Sequence, residues 1–230
     1  MLPNLIRNRS LQTSLLIIIV NNRKLMNMNF YDKFLLPILV NSACKVSPKM
    51  KQREKVIPLA HGRVLEIGVG SGLNLPFYNT DKVEEIIGID PSEEMWSKNN
   101  FKPNKFHFEF IKTGAESLPF ENNFFDCVVS TYSLCTIPDY NSAMEEIRRV
   151  ISTNGIFIFC EHGKAPNRKV EKWQNRLDPI WSTFGGGCHL NRDIPKIITS
   201  NGFKMDQMDQ MFIPGWKIAS YEYWGTAKTY

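Results

Sequence analysis

The sequence predicts a doubly wound α/β fold, in which a mostly parallel seven-stranded sheet carries an antiparallel strand at its C-terminal edge. Three observations support this class: strand-like and helix-like runs alternate from residue 61 onward, a glycine-rich turn follows the first strand, and two strand-like runs close the chain. The 230 residues, of which 43 % are hydrophobic and 22 % charged, are typical of one ordinary globular domain.

Five apolar runs bounded by turn residues predict buried strands. They are RVLEIG (63–68), EIIGID (85–90), FHFEFI (106–111), FDCVVST (125–131) and GIFIFCEH (155–162). Ser92 is a good N-cap for a helix over 92–99. The run PDYNSAMEEIRRVIS is predicted to be a second helix, and it places on one stripe Tyr140, Met144, Ile147 and Ile151. This alternation implies a parallel sheet with helices on both faces.

The C-terminal part follows a different pattern. A helix is predicted to end at Asn201-Gly202 and to be followed by a strand, and YEYWGTAKTY (221–230) reads as the final strand. Too few residues separate these two strands for a helical crossover. We therefore expect an antiparallel pair at the sheet edge.

Charged residues are unevenly distributed along the chain. Residues 1–60 carry 10 Lys and Arg against 2 acids, whereas residues 61–230 carry 18 against 21. Enzymes of nucleic acids spread basic residues over the body, so nucleic acid is not an expected partner. We assign residues 61–230 to the main domain, residues 26–60 to an N-terminal helical cover and residues 1–25 to an extension.

The extension contains SLLIIIV (14–20), which is far shorter than the roughly 20 residues that span a bilayer. It is predicted to be a disordered, dispensable terminus or a basic apolar segment lying on a membrane surface. In the cover, helical spacing predicts an apolar face that packs over the ligand site and is formed by Phe34, Leu35, Ile38 and Leu39. The basic residues of the cover would then face solvent or an anionic membrane.

The five cysteines are odd in number and lack tight spacing. This indicates a reducing compartment and no disulfide framework. We expect a cytoplasmic monomer, with peripheral membrane contact through the basic segment as the alternative.

The glycine-rich turn reads E-x-G-x-G-x-G, formed by Glu66, Gly68, Gly70 and Gly72. A dinucleotide loop, G-x-G-x-x-G/A, fails at Leu73 and at Leu75, and no Walker-type Gly-Lys-Ser/Thr is present. The turn therefore suits a ligand without phosphates. Bare backbone can lie against a flat nucleoside and an amino-acid tail, with the Glu66 carboxylate near the ammonium group of that tail.

Two more acids follow successive strands. Asp90 ends the second strand and can accept hydrogen bonds from both ribose hydroxyls, or it can merely cap the next helix. Glu116, in GAESLPF after the third strand, can accept a bond from an adenine amino group, or it can be a surface residue. Pro119 and Phe120 are expected to close the apolar side of the nucleoside.

These motifs resemble those of the class I S-adenosylmethionine-dependent methyltransferases, especially members with menaquinone/ubiquinone-type motifs. FDCVVSTYSLCTIPD and EIRRVISTNGIFIFCEHG resemble further segments of that family, and CEHG…LDPIWSTFGGGCHLNRD resembles the alkyl-thiol methyltransferase-like branch. The resemblance implies a Rossmann-like fold, S-adenosylmethionine as cofactor and a small, fairly apolar acceptor: a thiol, a phenol or quinone, or a lipid head group. It implies cofactor contacts from Glu66, Gly68, Gly70, Gly72, Asp90, Pro91, Ala115, Glu116 and Thr131.

The acceptor side has fewer candidates. His162 follows the fifth strand and is either catalytic or a hydrogen-bonded structural histidine. Tyr132, Cys188 and His189 are further candidates, and Trp173, Trp181 and Phe184 line an acceptor pocket or belong to the core. A zinc site made from Cys160, His162, Cys188 and His189 lacks the usual C-x₂₋₄-C spacing, so we expect no metal.

Two other functions compete with methyl transfer. A non-catalytic module of the same fold would bind the cofactor without turnover. A nicotinamide-dependent oxidoreductase is opposed by Leu73 in the glycine loop.

Overall fold

The computed structural model describes residues 31–102 and 105–230. The predicted extension, residues 1–25, lies outside the described residues, and its role remains a prediction. Within the described ranges, no helix has both the length and the apolar character needed to cross a membrane.

Seven strands form one sheet in the order β3-β2-β1-β4-β5-β7-β6. They are β1 (Gly62–Ile67), β2 (Val83–Ile89), β3 (His107–Ile111), β4 (Phe125–Thr131), β5 (Ile151–His162), β6 (Phe203–Phe212) and β7 (Tyr221–Thr229). Strands β1 to β5 are parallel, and β7 is antiparallel to both of its neighbours. The predicted doubly wound sheet and its antiparallel C-terminal pair are confirmed. The last strand, β7, lies inside the sheet, and β6 forms the edge.

Six α-helices, a π-helical turn and three short 3₁₀-helices (Ile57–Leu59, Leu75–Phe77 and Lys217–Ala219) complete the described fold. The π-turn and the α-helices have the following bounds: the π-turn Tyr31–Leu35, α1 (Leu36–Cys44), α2 (Ser47–Val56), α3 (Glu93–Trp96), α4 (Tyr140–Val150), α5 (Arg168–Phe184) and α6 (Ile194–Ser200). Ser92 caps α3 as predicted, by accepting from the Met95 amide. The helix is shorter than the predicted 92–99 because the Asn99 side chain bonds the Phe101 backbone and turns the chain.

The core lies in two layers, one on each face of the sheet. Helix α4 buries Ala143, Met144, Ile147 and Val150 against one layer. Ile151, which the predicted stripe included, instead begins β5. Val64 of β1 points into the opposite layer, next to residues at the end of α2. The sheet is thus covered on both faces, as parallel sheets require.

The described part of the N-terminal cover, residues 31–60, is mostly helical, but three of the four residues of its predicted apolar face do not border the ligand cavity. Phe34, Leu35, Ile38 and Leu39 are all about half exposed, and of these four Leu39 alone lines the cavity. The residues of α1 that border the same cavity are Leu36, Pro37, Leu39, Val40, Ala43 and Cys44. The π-turn has a longer repeat than an α-helix, so it shifts the phase of the side chains that follow it.

Candidate active site

A cavity of about 650 Å³ opens at the carboxyl ends of the parallel strands. It lies where the strand order reverses between β1 and β4, which is the usual ligand position in open α/β sheets. One part, here called the glycine-loop end, is lined by Gly68, Gly70, Asp90, Ala115 and Glu116. The other part, here called the cysteine end, is lined by Lys49, Tyr132, Cys135, His162, Trp181 and Cys188.

The three loop glycines all have positive φ, at 67°, 54° and 75° for Gly68, Gly70 and Gly72. Gly68 and Gly70 line the cavity, whereas Gly72 lies outside its lining. A Cβ on Gly72 would lie 2.8 Å from Asn99 Oδ1 and 2.9 Å from a Leu75 methyl group. Gly72 therefore serves the packing of the loop, and so does Gly68, whose Cβ would overlap the Ser133 side chain. The backbone of Gly68 and Gly70 lines the cavity, and of the three glycines Gly70 alone has open space at its Cα.

Asp90 ties the glycine loop to the next turn. Its Oδ2 accepts from the Gly70 amide at 3.0 Å, and its Oδ1 accepts from the Ser92 amide at 2.8 Å. Burial raises the pKa of Asp90, although these two hydrogen bonds act to lower it. The carboxylate borders the cavity next to Pro91, and each oxygen keeps a lone pair for a ligand hydroxyl.

The loop after β3 brings Ala115 and Glu116 to the cavity, as the sequence predicts. Pro119 and Phe120 do not line it, because Phe120 turns to pack on Phe124 and Phe125. The apolar walls come instead from Ile67, Ile89, Ile137 and Pro138.

Glu66 lies behind the glycine loop and outside the cavity lining. Its carboxylate accepts from Asn74 Nδ2 at 2.9 Å and from the Tyr78 hydroxyl at 2.7 Å. Burial raises the pKa of Glu66 to about 7, although the Tyr78 hydrogen bond and the Arg53 charge act in the other direction. The geometry makes Glu66 a brace for the loop, where the sequence argument had placed it against a ligand ammonium group.

Lys49 and Arg53 of α2 are cavity residues that the sequence argument missed. Their cationic groups lie 4.4 and 4.8 Å from the centre of the Tyr132 ring. Arg53 is buried and donates from Nη1 to Asn74 Oδ1 at 2.7 Å and to Thr131 Oγ1. The two basic residues are four apart and so share one face of the helix. The expectation that the basic residues of the cover face solvent is wrong for this pair.

The turn after β4 is held in an unusual conformation. Tyr132 has φ 55°, which is rare for a bulky residue and costs on the order of 1–3 kcal/mol. Glu161 Oε1 stabilises the turn by accepting from Ser130 Oγ at 2.9 Å, from the Ser133 amide at 2.9 Å and from the Leu134 amide at 3.1 Å. Such strain is typical of positions that a functional site requires.

Three soft ligand-type side chains meet at the cysteine end. His162 Nε2 lies 3.0 Å from Cys188 Sγ, and Cys188 Sγ lies 3.9 Å from Cys135 Sγ. Trp181 Nε1–H donates to Cys188 Sγ at 3.4 Å. The hydrogen bond between the two thiols, together with Trp181 and the Lys49 charge, lowers the pKa of Cys188 despite its burial.

The remaining predicted residues separate into two groups. Thr131, Tyr132, Trp181 and Phe184 line the cavity. Cys160, His189 and Trp173 do not: Cys160 donates to the Tyr132 hydroxyl from within the core, His189 pairs with Asp178 at 2.8 Å, and Trp173 is exposed on α5.

Comparison with known proteins agrees with this geometry. The family profile described as a methyltransferase domain matches residues 65–159. A thiol S-methyltransferase, TMT1B of Rattus norvegicus, is 28 % identical over 151 residues, which are 64 % of this chain and 62 % of that protein. A phosphatidylethanolamine N-methyltransferase of Cereibacter sphaeroides is 32 % identical over 142 residues, which are 58 % of this chain and 69 % of that protein.

Among solved structures, a methyltransferase from Methanosarcina mazei has a TM-score of 0.55 at 20 % identity, covering 73 % of this chain and 92 % of that one. This similarity supports the fold. The fold and the site define a nucleoside-binding Rossmann-like enzyme. The chain belongs to the class I S-adenosylmethionine-dependent methyltransferases.

The residues present fit this cofactor. The bare backbone of Gly68 and Gly70 faces the cavity, and the acids Asp90 and Glu116 border the same end. S-adenosylmethionine supplies the activated methyl group on its sulfonium, so the protein has to hold the cofactor, align the acceptor and exclude water.

Proposed function

We propose that the chain transfers the methyl group of S-adenosylmethionine to a small, apolar thiol. The observation that carries this proposal is the lining of the cysteine end, which is apolar and cationic. Among the described residues, the carboxylates that line the cavity are Asp90 and Glu116, and both lie at the glycine-loop end.

The walls of the cavity beyond the cofactor suit an apolar acceptor. They are formed by Leu36, Leu39, Val40 and Phe184. Tyr31 donates its hydroxyl proton to the Phe184 carbonyl at 2.7 Å and so links the N-terminal cover to the end of α5. An acceptor with an alkyl or aryl body would bury apolar surface here, at about 25 cal/mol for each Å² removed from water.

Electrostatics favour an anionic nucleophile at the cysteine end. Lys49 lines this end and lies over Tyr132, and Arg53 lies one helical turn further along α2. A nearby positive charge stabilises a thiolate, whereas it gives no such stabilisation to the neutral amine that an ammonium group becomes when it loses its proton. The thiol of a cysteine side chain, with an ordinary pKa of about 8.5, also becomes an anion at lower pH than a phenol, with an ordinary pKa of about 10.

The roles of the remaining residues follow from their positions. Under this proposal, Asp90 accepts from the ribose hydroxyls and Glu116 accepts from the adenine amino group. Thr131 and the backbone of Gly68 and Gly70 border the amino-acid tail. His162 Nε2 is already engaged with Cys188, so the bound thiol loses its proton to solvent beside Lys49 and the ring does not need to act as a general base.

The test compares acceptors that share one apolar chain and differ in the nucleophile. Hexanethiol, hexanol and hexylamine are incubated with the protein and methyl-labelled S-adenosylmethionine, with hydroquinone and phosphatidylethanolamine vesicles as further arms. We expect label in hexanethiol well above every other acceptor. Preferred labelling of hydroquinone or of phosphatidylethanolamine would overturn the thiol proposal.

Cofactor binding is measured in parallel by calorimetry with S-adenosylhomocysteine. Binding without label in any acceptor would support a non-catalytic cofactor-binding module of the same fold, and the proposal would fail. The rate of methylation of each acceptor is measured at several pH values. If the thiolate is the reactive form, the rate with hexanethiol should rise with pH up to the pKa of the bound thiol.

A further inference from the structure

The cysteine end gathers three side chains from three separate parts of the chain. Cys135 comes from the turn after β4, His162 ends β5, and Cys188 follows the glycines after α5. Their ligand atoms all lie within 4.8 Å of one another, and all three residues line the cavity. We infer that Cys135, His162 and Cys188 form a binding site for one Zn²⁺ ion whose fourth position opens into the cavity.

The distances fit a tetrahedral zinc ion. With Zn–S bonds of about 2.3 Å, two sulfur ligands of a tetrahedral ion lie roughly 3.8 Å apart. The separation of Cys135 Sγ and Cys188 Sγ is 3.9 Å. The distance of 3.0 Å from His162 Nε2 to Cys188 Sγ is shorter than the roughly 3.5 Å that zinc would set, so the ring has to move by a few tenths of an ångström.

The ligand chemistry favours zinc over harder cations. Two thiolates and one imidazole suit Zn²⁺, whereas Mg²⁺ and Ca²⁺ prefer oxygen ligands. Two cysteine thiolates also balance the charge of the ion, so the nearby Lys49 and Arg53 do not face a further positive charge. Three protein ligands and one open position are the arrangement of catalytic zinc sites.

The surroundings of the three ligands support the site. Trp181 Nε1–H donates to Cys188 Sγ at 3.4 Å and helps to hold that ligand in place. His162 Nδ1 is buried without a partner among the described residues, and so is Glu222 Oε1, whose residue pairs with His162 in the β5–β7 register. A ligating histidine commonly directs its second nitrogen at a carboxylate, and Glu222 supplies that group on the same face of the sheet.

The zinc site also gives the proposed thiol acceptor a place to bind, and this step rests on the proposed function. The thiol would bind at the fourth position and lose its proton to solvent, leaving a zinc-bound thiolate. The thiolate sulfur then forms a bond to the methyl carbon while the sulfonium–methyl bond breaks. The products are the methyl thioether and S-adenosylhomocysteine, and the zinc ion is unchanged.

From the sequence, zinc is not expected because Cys160, His162, Cys188 and His189 lack the usual C-x₂₋₄-C spacing. Cys160 and His189 are engaged elsewhere, with Tyr132 and Asp178. The third ligand beside His162 and Cys188 is instead Cys135, which lies more than 25 residues from either of them in the sequence.

The experiment measures metal content without reference to activity. Untagged protein is equilibrated with Zn²⁺ in a non-chelating reductant, dialysed and analysed for bound metal by mass spectrometry. We expect about one zinc ion per chain for the wild type and less than about a tenth of that content for Cys135→Ser, His162→Ala and Cys188→Ser. Substitution by Co²⁺ should give a thiolate-to-cobalt charge-transfer band that these variants lose.

Cys44→Ser is the matched control, because Cys44 lines the same cavity but does not belong to the three-residue cluster. Binding of S-adenosylhomocysteine shows that each variant is folded. The inference is overturned if folded wild type retains no zinc and gives no cobalt band. It is also overturned if Cys44→Ser loses zinc as fully as the three ligand variants.

Activity then separates the two proposals. If the protein holds zinc but does not methylate hexanethiol, the metal site stands and the proposed function fails. If hexanethiol is methylated equally with and without zinc, the proposed function stands and the zinc-bound thiolate fails.

Discussion

The two ends of the cavity are built in different ways. The glycine-loop end consists of main chain from one turn, held by Asp90, whose two oxygens accept from the Gly70 and Ser92 amides. The cysteine end consists of side chains from α2, the turn after β4, the end of β5, α5 and the segment after α5. One end depends on the path of the backbone, and the other depends on which side chains several elements bring together.

This difference affects how each end responds to substitution. A backbone cradle tolerates change in the surrounding side chains, so it can bind the same cofactor in many sequences. A site made from side chains of five parts of the chain changes when any one of them changes. Under the proposed function the acceptor binds at the cysteine end, so these side chains would set the choice of acceptor, and the two ends can be tested separately.

The largest effect is expected at the glycine loop. Gly70→Val places a β-branched residue at φ 54°, where such a residue is strongly disfavoured. We expect the affinity for S-adenosylmethionine to fall by more than about 100-fold in Gly70→Val. The loss in Gly70→Ala should be smaller, since Ala adopts positive φ at a lower cost than Val. Calorimetry checks the affinity, and thermal unfolding checks that the fold remains. Normal binding by a folded Gly70→Val would mean that this loop is not the cofactor site.

The next effect concerns the carboxyl that braces the loop. The pKa of Glu66 is about 7 in the folded protein against 4.5 ordinarily, so between these pH values the folded state binds more protons than the unfolded state. The contribution of Glu66 to the free energy of unfolding is therefore present at low pH and falls as pH rises through this window, by at most about 3 kcal/mol.

Glu66→Gln removes this titration. We expect the free energy of unfolding of wild type to fall, relative to that of Glu66→Gln, as the pH rises from about 4.5 to about 7. Urea unfolding at a series of pH values measures it. A pH-independent difference would show that the carboxyl titrates alike in both states.

Asp90 tests whether a side chain matters at the backbone-built end. Asp90→Ala should weaken cofactor binding by about 1–3 kcal/mol, and Asp90→Asn, which keeps one carbonyl acceptor, should weaken it less. Ser92→Ala is the matched control because it removes the helix cap and leaves the carboxylate in place. Equal losses for Asp90→Ala and Ser92→Ala would mean that Asp90 acts through the turn alone.

The smallest effect is expected at the cysteine end, from one charge. Lys49→Met should lower the rate of thiol methylation at neutral pH by about tenfold and move the pH–rate profile to higher pH, because the thiolate loses a neighbouring cation. Lys51→Met, at an exposed position of the same helix, should leave both unchanged. A profile that stays in place for Lys49→Met would contradict the anionic acceptor.

The difference between the two ends also explains what the sequence could predict. Asp90 and Glu116 were found because they follow successive parallel strands, whose carboxyl ends meet at one edge of the sheet. The hydrogen bonds of Glu66 could not be predicted because a carboxylate at the end of β1 can point either into the cavity or behind the glycine loop. Its partners behind the loop, Asn74 and Tyr78, come later in the chain.

The residues of the cysteine end could not be found in the same way. Lys49 and Arg53 have the spacing of one helix face, but no pattern says whether that face meets the cavity or solvent. Cys135 meets Cys188 only because the glycines after α5 turn the chain back, and Gly186 and Gly187 have φ of 65° and 85°. Such convergence depends on tertiary packing, which local periodicity does not record.

The position of β7 has a consequence for how the protein is made. Strand β6 is synthesised before β7, yet β7 is its neighbour in the sheet, and β7 in turn pairs with β5. Until Tyr221–Thr229 is free to pair, β6 has no strand to join, and Glu222 is missing beside His162. The parallel strands β1 to β5 can pair with one another before β7 is available, whereas β6 keeps an unpaired edge, which is the kind of surface that chaperones protect. The surroundings of His162 are thus completed only when β7 pairs with both β5 and β6.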